Sequence, residues 1–519
     1  MIFPIDAAIA RSETRRMPTA YDEVQYPSAV YSQTHPDRLA SIALLSGMEP
    51  TPVERCRVLE LGCGDGFNLL AMARGLPHSE FVGIDLAEQP VARGNAIAAR
   101  LDQQNVRLLA KDVADDCSNL GKFDYIIAHG LYSWIPQHVR ERVMQMCRAN
   151  LSPSGVAYIS YNAYPGNHMR DLVRGMMRYH VAHFDSPTVQ IQQARGLIKL
   201  LSEAGAPGEP YQQILTRELD RIRKYTDSGF FHDDLSAINQ PFYFHQFMAH
   251  AQENGLQFLG EADISEKQEL TYPAHVQAVL QGLDPDDVIG REQYRDFLRC
   301  RAFRQTLLCH EGIPLDRSLS PEPMRRLFLS GEIRSAAAQS DISGDAPELF
   351  TGCKKAELET SRPLIKVALR RLGTAWPVPL PFDDLLSQSR SDLARSGDER
   401  LTEDAHELSS AMLGASIAGA VELRAHNPRF IMNPGEKPRA SSLARAQIEM
   451  GNRVATLLHG IVQIDDEPSR ILLRLLDGTR DRAALRVTMQ DTIQNGRELS
   501  EADLDEVLGQ LARMALIEA

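Results

Sequence analysis

The sequence predicts an α/β fold. A parallel sheet covered on both faces carries the site, followed by a mixed helical middle region and a small C-terminal domain. Three observations predict it. Short apolar runs alternate with amphipathic helical stretches as far as residue 162, the pattern of βα units in a parallel sheet. A glycine-rich turn, Gly62, Gly64 and Gly66, follows the first run. Acids stand at three successive strand ends, Glu60, Asp85 and Asp112, and ligands of open α/β sheets bind at the carboxyl ends of the strands.

The first run is Val58, Leu59 and Leu61, an apolar strand buried on both faces. The glycines then let the chain turn sharply and approach a ligand closely. A helix from Asn68 to about Arg74 points its free N–H groups back at that ligand. The spacing is G-x-G-x-G, one residue short of the G-x-G-x-x-G that seats a pyrophosphate on a helix N-terminus. Glu60, two residues ahead of the first glycine, repels a phosphate but suits an ammonium. S-adenosylmethionine carries an ammonium and a sulfonium and no phosphate. The glycines alone also fit a plain structural turn.

The second run, Phe81 to Leu86, ends in Asp85, where a carboxylate can accept from both ribose hydroxyls. The third, Val106 to Val113, places Asp112 to accept from an adenine amino group, with the Val113 N–H toward a ring nitrogen. A fourth strand runs from Phe123 to Gly130. A helix from Val139 to Asn150 and a fifth strand, Gly155 to Asn162, follow. Any one of these acids can be a strand-end cap; three in succession form a site.

Residues 56–162 resemble a class I, Rossmann-like, S-adenosylmethionine-dependent methyltransferase. His35-Pro36-Asp37-Arg38, the glycine turn, Ala128 to Pro136 (AHGLYSWIP) and Tyr161 to Gly166 (YNAYPG) are similar to bacterial methyltransferases with a methyltransferase regulatory domain. That group includes rickettsial protein-lysine methyltransferases of outer-membrane proteins, and the resemblance runs on to the C-terminus. It implies S-adenosylmethionine as cofactor and a protein substrate, met before export if it is an outer-membrane protein. Small-molecule methylation, or a silent cofactor-binding regulator, are the alternatives.

Length and composition bound the rest. A chain of 519 residues accommodates two to four domains. The net charge of −13 argues against a general nucleic-acid binder, as does the lack of an N-P-P-Y motif at the fourth strand. Seven scattered cysteines without a C-x-x-C pair argue against a metal site and for reduced thiols in the cytoplasm. The first ten residues lack the basic region of a signal peptide, and no apolar run is long enough to span a membrane.

Five regions are expected. Residues 1–40 form a cofactor-covering segment. The Rossmann-like domain takes 41–164 and 226–265, closing with a helix from about Phe242 to Asn254, Gly255 and a strand from Leu256. A helical lid, broken at 204–210, occupies 165–225. The middle region spans 270–430, with an extended connector at Thr374 to Pro381. Residues 435–519 resemble a winged helix whose last helix starts at Ser500. Without a basic recognition helix, protein contact or homodimerisation is expected of it rather than DNA binding.

The expected site residues follow. Glu60, Gly62, Cys63, Gly64, Asp85, Leu86, Asp112 and Val113 hold the cofactor. Tyr26, Thr34 and His35 either reach its methionine end or belong to a packing arm. His129 and Tyr132 are expected near the sulfonium, where aromatic faces attract a cation, and Tyr161 and Tyr164 near the acceptor. Trp134, Asn162, His232 and Tyr243 complete a substrate wall. His129 can act as a base or bond within the strand-end network. Trp134 can equally anchor the next helix.

Overall fold

Strand β1 (Arg57–Leu61) lies at the centre of a seven-stranded sheet. Its neighbours are β2 (Glu80–Asp85) and β4 (Phe123–Ala128), both parallel to it. With β3 (Val106–Ala110), β5 (Leu151–Asn162), β6 (Leu256–Glu261) and β7 (Phe303–His310), the order is β3-β2-β1-β4-β5-β7-β6. Strands β1 to β5 are parallel, and β7 runs antiparallel to both β5 and β6. The computed structural model describes residues 29–206, 208–267, 272–336, 344–353, 356–395, 397, 399–492 and 500–519.

The apolar runs account for the sheet's burial. Val58, Leu59 and Leu61 are inaccessible to solvent, and each such side chain stabilises the fold by about 1.5–3 kcal/mol. Helices α1 (Pro36–Leu45), α2 (Phe67–Gly75), α3 (Glu88–Arg100) and α4 (Gln137–Asn150) cover the sheet. Gly94 on α3 is required by close approach. A Cβ there would meet the Asp65 carbonyl oxygen at 2.1 Å.

Two expectations are corrected here. The third strand ends at Ala110, so Asp112 lies on the turn beyond it. The sheet does not finish with the strand from Leu256. β7, some forty residues later, inserts between β5 and β6. It brings in Arg304, a fully buried arginine. Arg304 Nη1 reaches Glu261 at 2.6 Å and Nε reaches Asp296 at 2.8 Å. Its guanidinium lies 3.8 Å from the centre of the Phe244 ring. A charge at this depth persists only because it is paired and hydrogen-bonded.

Between β5 and β6 the chain leaves the sheet through three helices, α5 (Asn167–Val181), α6 (Pro187–Glu203) and α7 (Pro210–Arg223). They share a small core of Val173, Met177, Ile198, Leu215 and Phe230. The expected break between α6 and α7 is present, and a second separates α5 from α6. A single π-turn, Phe231–Leu235, and helix α8 (Phe244–Glu253) lead back to the sheet. Beyond β7, a second core gathers around Leu329, Phe350, Leu369, Phe382 and Leu408.

The C-terminal unit has its own core of Ile448, Leu472, Leu485 and Leu508. Helix α9 (Ser442–Met450) is followed by a hairpin of β8 (Arg453–Ala455) and β9 (Ile461–Gln463), antiparallel to each other. Helices Glu467–Leu475, Arg482–Thr492 and Glu501–Arg513 complete it. The last opens on a capping box between Ser500 and Asp503, as the sequence predicts. No helix among the described residues is long and apolar enough to cross a membrane.

Candidate functional site

The carboxyl ends of β1, β2 and β4 open onto a cavity of about 1700 Å³ that extends from the glycine turn to helix α7. Pockets for small ligands are usually about 300–1,000 Å³, so this one exceeds the needs of a single nucleoside.

Glu60 lines the near end and is almost wholly buried. Its Oε1 accepts from Asn68 Nδ2 at 2.8 Å, while Oε2 has no partner among the described residues. Burial pushes its carboxyl up to about 8, opposed by the Asn68 bond and reinforced by the charges of Asp85 and Asp65. A cation entering the cavity would relieve that cost.

Asp85 anchors the turn. Its Oδ2 accepts from the Gly64 N–H at 2.7 Å and its Oδ1 from the Ala87 N–H at 2.8 Å. Each carboxylate oxygen has two lone pairs, so these bonds do not exclude ribose hydroxyls. Gly64 has φ +57°, and a Cβ built there would meet nothing within 4 Å. The backbone is bare where it faces the cavity. Leu86, 42% exposed, Asp112 and Val113 line the same end. Cys63 is buried, and burial holds its thiol well above the ordinary range, so it is not a nucleophile.

Farther in, His129 packs against Tyr31 with ring centres 4.0 Å apart. Its Nδ1 lies 2.9 Å from the Tyr158 hydroxyl. Burial pushes His129 down to about 4, so the ring is neutral. With Nδ1 hydrogen-bonded to Tyr158, it favours the role of network member over that of base. Phe303, from β7, meets His129 edge-on at 6.3 Å. Trp134 and Asn162 also line the cavity.

Other expected residues lie elsewhere. Tyr132 and Tyr161 are core residues, each 1% exposed. The Tyr132 hydroxyl bonds to His250 Nδ1 at 2.6 Å. Tyr161 stacks on Phe247 at 4.1 Å, its hydroxyl 3.3 Å from Thr306 Oγ1. Neither lines the cavity, so neither flanks the methyl group or acceptor there. Tyr164 stacks on His168 at 4.1 Å, with Tyr243 5.3 Å away, and neither tyrosine lines the cavity. His232 is buried against Phe231 beside it, whereas its neighbour Asp233 reaches the cavity.

Thr34 and His35 stand one layer back. Thr34 Oγ1 accepts from Asn68 Nδ2 at 3.0 Å, and His35 Nδ1 lies 2.7 Å from Asp37 Oδ1. Tyr26 lies outside the described residues. Sequence reasoning missed Tyr31, Asn68 and Phe303. Tyr31 and Asn68 sat within stretches already singled out, Asn68 two residues past the last glycine. Phe303 carried no local signal.

These residues fit an adenosyl amino acid. An orphaned buried carboxylate oxygen suits its ammonium, a bare glycine turn its close approach, and Asp85 its ribose.

Comparison with known proteins agrees. The methyltransferase domain family matches residues 59–157. A predicted methyltransferase regulatory domain matches 226–310, and the PKMT C-terminal winged-helix domain matches 436–516. An uncharacterized protein of Rickettsia prowazekii is 30% identical over 486 residues, covering 92% of this chain and 86% of that one. Another from the same organism is 37% identical over 241 residues, 46% of this chain and 96% of that one. The structure of PKMT2 from Rickettsia typhi in complex with AdoHcy superposes with a TM-score of 0.83 at 28% identity. It covers 95% of this chain and 99% of that one.

Proposed function

Because the chain belongs to the S-adenosylmethionine-dependent methyltransferases that join a methyltransferase regulatory domain to a PKMT-type winged helix, we propose that it methylates lysine side chains of a protein substrate. The observation that carries this reading is the size and lining of the cavity. Beyond the glycine turn it continues past Tyr31, His129 and Phe303 to α7, where Glu218 and Asp220 line it beside Arg217, Arg221 and Lys224. That leaves room for a long side chain led past three aromatic faces. The PKMT name of the structural relative supports the same reading.

In this proposal Glu60 takes the cofactor's ammonium, Asp85 its ribose, and Asp112 with the Val113 N–H its adenine. The cofactor supplies an electrophilic methyl group on a sulfonium. Tyr31, His129 and Phe303 offer aromatic faces to that cation and to the acceptor. The acceptor amine must first lose a proton, since a free lysine titrates near 10.4. A pocket that strips water from the ammonium lowers that value. Holding nitrogen and methyl in line can contribute roughly 7–11 kcal/mol.

The test is radiolabelled methyl transfer from S-adenosylmethionine into a bacterial envelope-protein fraction, with mass spectrometry of the labelled peptides. Label on lysine is expected, and it would identify the substrate. Label confined to small molecules would overturn the protein reading. Absence of label despite cofactor binding would point to a silent regulator.

A further inference from the structure

The C-terminal domain reaches into the second layer of the cofactor site. The turn between β8 and β9 carries His459 in a left-handed conformation, φ +56°, and buries it. His459 Nε2 lies 3.1 Å from Oδ1 of Asn68, 391 residues away in sequence. An amide oxygen can only accept, so Nε2 carries the proton. The Tyr31 backbone N–H donates to the same oxygen at 3.0 Å. These two donors fix which way the Asn68 amide faces. Its Nδ2 must then turn to Glu60 Oε1 (2.8 Å) and Thr34 Oγ1 (3.0 Å). A flipped amide would set its NH₂ against two donors and, once Glu60 is ionised to take an ammonium, its oxygen against the carboxylate.

We infer that His459 is a positioning residue for cofactor binding: acting through Asn68, it aims Glu60 at the cofactor's amino group, so the site is complete only with the C-terminal domain docked. The inference rests on the reading that Glu60 receives that ammonium.

The docking is specific. Arg424 bridges the parts, with Nη1 donating to Asp37 Oδ2 at 3.0 Å and Nη2 to the Leu458 carbonyl at 3.2 Å. Arg74 on α2 pairs with Glu518, and Leu443 and Ala455 pack with Phe67 and Leu70. Those contacts hold the domain against the sheet. A buried imidazole whose Nδ1 has no partner among the described residues adds a desolvation cost that packing alone does not require.

The test uses the full chain and two ligands: S-adenosylhomocysteine, and 5′-methylthioadenosine, which shares the adenosyl thioether but lacks the amino-acid end. In titration calorimetry His459→Ala should lose about tenfold in affinity for the first, the scale of one buried hydrogen bond, and keep its affinity for the second. His459→Gln, whose Nε2–H can stand where the imidazole's does, should bind both as the wild type does. Should His459→Ala fail to fold, His459→Asn, too short to reach Asn68, takes its place. Equal losses for the two ligands, or none for S-adenosylhomocysteine, would overturn the positioning role. Glu60→Gln separates the premise. If it too binds S-adenosylhomocysteine normally, the reading of Glu60 fails; if it loses that ligand selectively while His459→Ala does not, only the role of His459 fails.

Discussion

Asn68 Nδ2 donates to Glu60 Oε1 over 2.8 Å and leaves Oε2 without a partner among the described residues. Glu60 therefore waits, half-satisfied, for a cation. With its carboxyl pushed up to about 8 by burial, the free protein holds a proton there at neutral pH. An ammonium ligand needs the carboxylate, so binding below pH 8 must release that proton. Affinity for S-adenosylhomocysteine should rise with pH, by up to about tenfold per unit, and level off near pH 8. Calorimetry in buffers of different ionisation enthalpy should count close to one proton released at pH 7, and none in Glu60→Gln. The stability sign is the reverse. Glu60's contribution to the ligand-free protein is complete below its usual 4.5 and is lost as pH rises through about 8. The wild type should therefore lose stability relative to Glu60→Gln over that window.

Gly64 combines a positive φ with open space at its Cβ. Arginine at this position would project into the cavity's cofactor end. Gly64→Arg should abolish S-adenosylhomocysteine binding in calorimetry while costing only about 1–2 kcal/mol of stability for the left-handed backbone. A folded Gly64→Arg protein that binds normally would remove the cofactor assignment at this turn.

Tyr161 stacks on Phe247 and is shut away from solvent, so its substitution tests packing. Tyr161→Ala should cost about 3–5 kcal/mol in urea unfolding, the scale of a large aromatic removed from a core. Tyr161→Phe keeps the ring and loses one hydroxyl contact, about 1 kcal/mol, and should turn over as the wild type does. A Tyr161→Phe enzyme that is stable but slow would restore the hydroxyl to the chemistry.

The same residue shows what the sequence could and could not say. The strand ends, the glycine turn and the lid's helical spacing are local patterns, and Glu60, Asp85, Asp112, Trp134 and Asn162 all line the cavity. Tyr161 and Asn162 were both assigned to that wall, yet neighbours on a strand point to opposite faces. With Asn162 facing the cavity, Tyr161 must face the core. That correction was available from the strand period alone. Strand β7 was not. It enters between β5 and β6 from distant sequence, and its buried Arg304 becomes intelligible only beside Glu261, Glu292 and Asp296. His459 is likewise invisible locally, because its partner is 391 residues away.

Asp234 has no exposed surface and joins three elements. It accepts from Arg170 Nε on α5 at 3.1 Å and from Arg221 Nη2 on α7 at 2.7 Å, itself lying in the π-turn. Breaking a buried pair by removing one partner costs about 3–5 kcal/mol. Asp234→Ala should therefore loosen α5 and α7 against each other and lower the unfolding free energy by about that amount. Cofactor affinity should stay near wild type, since Asp234 touches none of the residues around the glycine turn. The Michaelis constant for the proposed acceptor should rise. Unchanged kinetics in a destabilised Asp234→Ala protein would make the latch purely structural.

His129 offers the sharpest kinetic test of the far wall. Burial holds its ring neutral above about pH 4, and its Nδ1 is engaged by Tyr158. Between pH 5 and 8 it should neither gain nor lose a proton. The pH profile of turnover should then show no inflection near the ordinary histidine value of 6.5 that belongs to this residue. His129→Ala removes the ring packed against Tyr31 and Phe303, and a cation–aromatic contact of this kind contributes about 0.5–2 kcal/mol. The variant should therefore lose roughly two- to thirtyfold in kcat/KM, with the shape of the profile unchanged. Loss of an inflection in His129→Ala would instead make the ring a titrating base.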